Sequence, residues 1–253
     1  MRLIAVGSWR GTGASTSALL LAAAVAMRGE EAWLVEADPA GGVLASRAPD
    51  LAGVNSLGRI AFEPSGVPAE AEFGAASRRL GRVNVLTGPW DSFQAWSALA
   101  SPRVRWVEHL DRLDGVVVAD VGSLRSGQGP AWSIIERSEL LVMVTNPEPA
   151  ALTSTVAWMD AKGQSAPGVA GLSADQARLL VVDAPTASGE RFSADVAGEL
   201  DGRLVGWWPW EPRVVDHVHR GGSLEHRAVR KFALVRSIAS TLVSLDTGVG
   251  LVA

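Results

Sequence analysis

Cysteine and tyrosine are both absent from this chain of 253 residues. Without cysteine there is no disulfide framework and no thiolate metal site, and the composition fits a reducing compartment. Long apolar runs are also missing. The longest, Ser17 to Met27, is too short for a bilayer, which takes about 20 apolar residues. No secretory leader is legible, because Met1 runs directly into a strand-like segment. These absences predict a cytoplasmic protein whose membrane contact, if any, is peripheral. Lysine is scarce beside arginine, and neither sign of charge dominates. A formal net charge of −4 argues against a whole-surface polyanion binder and leaves room for a local basic face. What is present is 47% hydrophobic and 20% charged residues, the balance of a globular domain with an ample core.

Apolar, β-branched runs alternate with helical patterns along the chain. Strands are predicted at Leu3–Val6, Ala32–Glu36, Arg82–Leu86, Gly115–Asp120, Glu139–Thr145, Leu179–Asp183 and Arg203–Trp208. Helices are predicted at Thr16–Met27, Ser101–Leu113, Pro149–Ala161 and, as a long closing element, Glu225–Leu245. Nearly continuous apolar strands separated by helices indicate a parallel sheet covered on both faces. The expected fold is therefore α/β: a single domain with a doubly wound, mostly parallel sheet flanked by helices. Residues 45–77 are rich in Ala, Gly and Pro with weak periodicity, and read as short helices or a mobile loop.

Ligands of such sheets sit beyond the carboxyl ends of the strands, where the chemistry-bearing residues gather. "AVGSWRGTGAST", Ala5 to Thr16, has the strand–glycine turn–helix layout of a phosphate loop. Such a loop works through backbone N–H groups and the positive end of the following helix. Gly11 and Gly13 permit close approach to a phosphate, and Ser15 stands where a hydroxyl would ligate Mg²⁺. The pattern G-x-x-x-x-G-K-[ST] is met only in part, with Ser8 for the first glycine and Ala14 for the lysine. On its own the stretch also reads as a plain strand-to-helix turn capped by Ser15 or Thr16.

Further segments, taken together, resemble the ParA/MinD family of deviant-Walker P-loop ATPases. Trp9 to Thr16 occupies the frame of that family's loop. LVEADPAGG (Leu34–Gly42) follows its D-x-D-P-x-G, and DGVVVADVGS (Asp114–Ser123) its Walker B strand. LLVMVTNPEPAAL (Leu140–Leu152), VGWWPWEP (Val205–Pro212) and HRGGSL (His219–Leu224) match later segments in order. The resemblance implies a P-loop NTPase fold over nearly the whole chain, with ATP and Mg²⁺ as ligands. It implies nucleotide contacts from Arg10, Gly11, Thr12, Gly13, Ala14, Ser15 and Thr16. Mg²⁺ would be held through Ser15, Glu36 and Asp120, and Asp38 and Asp120 would be the catalytic acids. Asp183 stands where the family's base-reading asparagine lies, which leaves GTP open beside ATP. Trp208, Pro209 and Trp210 fall where the family packs a loop near the base, with Trp208 or Trp210 as the candidate to stack on it.

The departures are as informative. Trp9 replaces the signature lysine that reaches a dimer partner's phosphates, and Ala14 replaces the Walker lysine. Each lost charge-assisted contact is worth on the order of 1.5–3 kcal/mol. Losing both weakens ATP binding and hurts hydrolysis more, since the same amines stabilise the transferring phosphoryl group. Arg10, between the two positions, is a candidate substitute.

His217, His219 and His226 lie close together, but no carboxylate or cysteine set completes a metal site with them. Arg213, Arg220, Arg227, Arg230 and Lys231 make a local basic stretch. In the ParA branch such a face binds DNA non-specifically, and an exposed helix face is the plainer alternative. The tail SLDTGVGLVA lacks the basic amphipathic helix of the MinD branch, so membrane insertion is not expected. The resulting expectation is a positioning or partitioning protein with an eroded nucleotide site and little or no ATP hydrolysis. It would act by binding a protein partner, with a homodimer conceivable, after recruitment to nucleoid, pole or membrane-associated machinery. The alternatives are an active dimerising ATPase and a DNA-binding partition protein.

Overall fold

The computed structural model describes residues 2–62, 69–101, 106–110, 113–124, 129–163, 176–185, 190–193, 200 and 202–247. Their backbone forms one eight-stranded sheet. The strands are β1 (Arg2–Ser8), β2 (Ala32–Glu36), β3 (Arg78–Leu80), β4 (Val83–Leu86), β5 (Val116–Ser123), β6 (Leu140–Thr145), β7 (Ala177–Asp183) and β8 (Leu204–Pro209). Their order is β3-β4-β2-β5-β1-β6-β7-β8. Every pairing is parallel except the edge hairpin β3–β4. The expected doubly wound α/β domain is thus present.

The strands are apolar without alternation because both sheet faces are covered. Ile4, Val6, Leu34, Val118, Val142 and Leu180 point to one layer, which holds α1 (Ala14–Met27), α9 (Pro212–His219) and α10 (Ala233–Thr247). The alternate residues Leu3, Ala5, Val35, Val117, Leu141 and Leu179 face the other layer. That layer receives Leu99 of α5 (Ser92–Ala100), Ile134 and Ile135 of α7 (Trp132–Arg137), and Leu152 and Trp158 of α8 (Pro149–Gly163). Helix α1 is apolar around most of its circumference because it lies between the sheet and α9 and α10, so no solvent face has to be polar. Helix α10 is tied down at its middle and at its C-terminal end. Trp208 Nε1 donates to Thr241 Oγ1 at 2.9 Å, and Asp246 ion-pairs with both Arg2 and Arg28.

Several expectations need correction. The closing helix starts at Ala233 rather than Glu225. Residues 225–232 run in turns, with bonds such as Val229 N to His226 O and Phe232 N to Val229 O. Burial of Leu224 and Val229 in the core pins that segment. The third predicted strand begins at Val83, because Gly81 at φ +60° makes the hairpin turn to the unforeseen edge strand β3. Within residues 45–77 the chain forms α2 (Leu44–Arg47), a short 3₁₀ turn at Pro49–Leu51, α3 (Ser56–Phe62) and α4 (Ala69–Ala76). Of the predicted helix Ser101–Leu113, the described helical part is α6 (Trp106–His109); residues 102–105, 111 and 112 lie outside the described residues. Helices α5, α7 and α9 were not anticipated.

Candidate functional site

The site is assembled by strand register. Val6 of β1 and Glu36 of β2 both stand opposite Asp120 of β5, so these three residues share one row of the sheet, where β2 ends while β1 and β5 run on to Ser8 and Ser123. Between Val6 and Gly7 the register slips by one residue, as a bulge at Val121. Bulges re-aim side chains at strand ends. Just beyond it, Gly122 adopts φ +65°. A Cβ there would fall on the Asp38 carboxylate, so glycine is what lets Asp38 lie against β5.

The loop after β1 then crosses the top of the sheet. Gly11 (φ +71°) and Gly13 (φ +99°) adopt left-handed backbone that L side chains avoid. Ser8 Oγ accepts from Gly11 N at 2.9 Å, and Thr12 Oγ1 donates to Val144 O at 2.7 Å. These bonds hold the loop between β1 and β6. Helix α1 begins at Ala14 with no side-chain cap, so the N–H groups of its first turn keep their donor capacity toward the loop. A cavity of about 260 Å³ opens beside it, lined by Gly11, Thr12, Gly13, Thr16, Asn146, Val182, Ala184, Trp208, Pro209 and Trp210, among others.

The three acids converge but sit in different environments. Asp120 is fully buried. It accepts from Gly122 N at 3.1 Å, and the Ser15 hydroxyl beside it pulls its pKa down. Its second oxygen, Oδ2, has no partner among the described residues. Burial, with Asp38 and Glu36 adding repulsion, pushes its carboxyl up to about 7. Asp38 is half-buried and accepts from Ala40 N at 2.8 Å. Its carboxyl is also raised by burial, against the pull of that N–H. Glu36 is different, because its carboxylate is consumed by backbone. Oε1 accepts from Val43 N at 2.5 Å and Leu44 N at 2.7 Å, and Oε2 from Gly88 N at 2.9 Å. Burial raises the Glu36 pKa and these three donors oppose the shift. Its role in this geometry is to anchor the start of α2 and the turn after β4, which leaves Ser15 and Asp120 as the pair facing the loop.

The other sequence-predicted residues divide. Gly11, Thr12, Gly13, Thr16, Trp208 and Pro209 line the cavity, and Ala14 starts the helix beside it. Arg10 is exposed and makes no hydrogen bond or ion pair among the described residues. Asp183 does not line the cavity and pairs with Arg191 at 3.0 Å. Trp208 is 1% exposed and bonded to Thr241, so its ring belongs to the core; half-exposed Trp210 is the indole at the cavity mouth. Trp9 packs on Trp158 with ring centroids 5.9 Å apart, and Trp158 on Trp132 at 6.2 Å. Arg213, Arg220, Arg227, Arg230 and Lys231 are all exposed, and none forms an ion pair among the described residues.

Two residues near the site escaped the sequence reading. Asn146, inside the quoted segment LLVMVTNPEPAAL, lines the cavity; its position after a predicted strand was the available signal. Arg47 of α2 donates from Nη1 to Thr16 Oγ1 at 3.3 Å. Nothing but an arginine following DPAGG could have marked it.

No family model matches the chain, and no curated protein does. Solved structures do. A ParA family ATPase from Chlorobium tepidum TLS is similar with a TM-score of 0.74 at 16% identity, over 96% of this chain and 98% of that one. MinD in the MinC:MinD cell division protein complex of Aquifex aeolicus gives 0.67 at 17% identity, over 98% and 96%. The septum site-determining protein MinD from Pyrococcus horikoshii OT3, complexed with Mg-ADP, gives 0.63 at 19% identity, over 97% and 96%. At such identities the likeness establishes the fold. The chain has the P-loop ATPase fold of the MinD and ParA proteins along nearly its whole length.

Proposed function

We propose that this protein is a ParA/MinD-like positioning or partitioning factor that binds Mg-nucleotide weakly, hydrolyses it little or not at all, and acts by engaging a protein partner. The observation that carries this reading is Trp9. The side chain in the place of the signature lysine packs on Trp158 of its own chain, and Ala14 offers no amine in the second lysine position. The binding elements fit a nucleotide better than the catalytic ones do. Free N–H groups at the start of α1, the unpartnered Asp120 Oδ2 beside Ser15, and a cavity walled by Val182, Ala184 and Trp210 suit phosphate, cation and base in turn. Bound Mg-ATP would supply the phosphoryl group and the cation that shields its charge. Ser15 and Asp120 would orient that cation, and Asp38 would hold a water. Without the two amines, charge on the transferring group goes uncompensated.

The similarity to a MinD seen with MinC supports a protein partner, and a homodimer is the expected assembly. Calorimetry with Mg-ADP and Mg-AMPPNP, paired with a phosphate-release assay on Mg-ATP, tests the reading. The expected result is a dissociation constant above about 10 μM, weaker than about −7 kcal/mol, with phosphate release at background. Tighter binding with repeated turnover refutes it.

A second reading rests on the five exposed cations at Arg213, Arg220, Arg227, Arg230 and Lys231, none ion-paired among the described residues. Such a surface suits the phosphates of non-specifically bound DNA.

A further inference from the structure

We infer that Arg47 supplies the phosphate-binding charge that the loop itself has lost; this rests on the nucleotide-binding reading above. Loop and cation come from different parts of the chain. Thr16 lies in the first turn of α1 and lines the cavity. The Arg47 guanidinium reaches it from α2, with Nη1 3.3 Å from Thr16 Oγ1. It forms no ion pair with a carboxylate among the described residues, so its charge is not already neutralised. It is also felt nearby, since Arg47 helps burial to hold the His219 imidazole below its usual range.

Its position is fixed rather than incidental. Helix α2 begins where Glu36 Oε1 accepts from Val43 N and Leu44 N. That buried carboxylate at the end of β2 therefore sets the turn that carries Arg47. Gly42 lets the chain pass, since a Cβ there would stand 2.5 Å from Glu36 Oε2. Both arginines are exposed, but Arg10 makes no polar contact among the described residues, whereas Arg47 bonds to Thr16.

A guanidinium beside the open N–H groups of a helix start is well suited to phosphate oxygens, which it can meet with two parallel N–H donors. Ser15 of the same first turn stands beside Asp120 of β5, whose Oδ2 is unpartnered among the described residues, and the two independently suit the cation of a Mg-nucleotide. Arg47 approaches at Thr16, two residues beyond Ala14. It thus restores charge for binding without restoring an amine in the Walker position. It also comes from the same chain as the loop, whereas the signature lysine it stands in for would come from a partner.

The test is Mg-ADP binding by calorimetry for wild type, Arg47→Ala, Arg47→Lys and Arg10→Ala, with adenosine as the phosphate-free probe. Arg47→Ala should weaken Mg-ADP binding tenfold or more, to judge by charge-assisted contacts of about 1.5–3 kcal/mol at about 1.4 kcal/mol per tenfold. Arg47→Lys should recover part of that loss, and Arg10→Ala should change affinity less than threefold. Adenosine affinity and the unliganded melting temperature should stay unchanged in Arg47→Ala, which excludes a folding defect. If wild type binds Mg-ADP and Arg47→Ala binds it within threefold, the role of Arg47 is overturned and nucleotide binding stands. If wild type binds neither Mg-ADP nor Mg-AMPPNP, both inferences fall.

Discussion

Asp120→Asn should make the metal-free protein more stable at alkaline pH, although it removes a residue at the centre of the site. The argument starts from burial. The Asp120 carboxyl is raised from 3.8 to about 7, chiefly by desolvation, with Asp38 and Glu36 adding repulsion. Below pH 4 the folded and unfolded chains both hold the proton. From pH 4 to 7 only the folded chain holds it, so stability falls by about 1.4 kcal/mol per pH unit. Above pH 7 the loss is complete, at about 4 kcal/mol as an upper bound. Asparagine imitates the protonated acid: it is neutral, and its oxygen can still accept from Gly122 N. The variant should therefore lack this slope while keeping the slopes due to Asp38 and Glu36, which cancel in the difference between the two proteins. Urea or thermal unfolding in EDTA measures that difference. Between pH 5 and 8 the variant should gain about 3 kcal/mol on wild type, or roughly 6–12 °C at about 2–4 °C per kcal/mol for a domain of this size. A difference that stays within about 1 kcal/mol across this range, or that moves in wild type's favour as pH rises, would show that Asp120 is solvated or already paired, and the account of the site would fail.

Glu36→Gln puts an amide N–H₂ where one carboxylate oxygen receives a backbone N–H from Val43 and Leu44 or from Gly88; we expect a loss of about 2–3 kcal/mol in unfolding experiments and faster amide exchange at Val43 and Leu44. Gly122→Ala places a methyl on the Asp38 carboxylate at a backbone of φ +65°. It should cost about 1–2 kcal/mol for the left-handed residue alone, and heteronuclear spectra should show the largest shifts at Asp38 and Ala40. On the second functional reading, Arg227→Ala with Arg230→Ala should abolish any salt-dependent retention on DNA without moving the melting temperature by more than about 2 °C, because exposed side chains contribute little to stability. Retention that survives both substitutions removes the basic face from consideration.

The large apolar strands and the order of the phosphate-loop and Walker B segments could be read in the chain because each is a local pattern. A strand buried on both faces is a run of Val, Leu and Ala, and a loop that approaches an anion needs Gly11 and Gly13 at fixed spacing. Helix α9 could not be read that way. PRVVDHVH is short and flanked by turn residues, and the turns that follow were merged with α10 into one helix. The actual break depends on Leu224 and Val229 reaching the core, which no periodicity announces.

Chemistry divided along the same line. The sequence by itself determined that the loop carries no lysine, that Glu36 closes β2 and Asp120 follows the apolar run of β5, and that glycines open the helix start. Only the tertiary structure decided what those residues do. Glu36 became a backbone anchor because its strand ends beside the starts of two other segments. Trp9 turned inward because Trp158 and Trp132 were there to receive it. Arg47 came to the loop although 31 residues separate it from Thr16. A side chain's charge and size are written in the sequence, but its partner is chosen by whatever the packed sheet brings within a few ångströms, and that is a property of the fold as a whole.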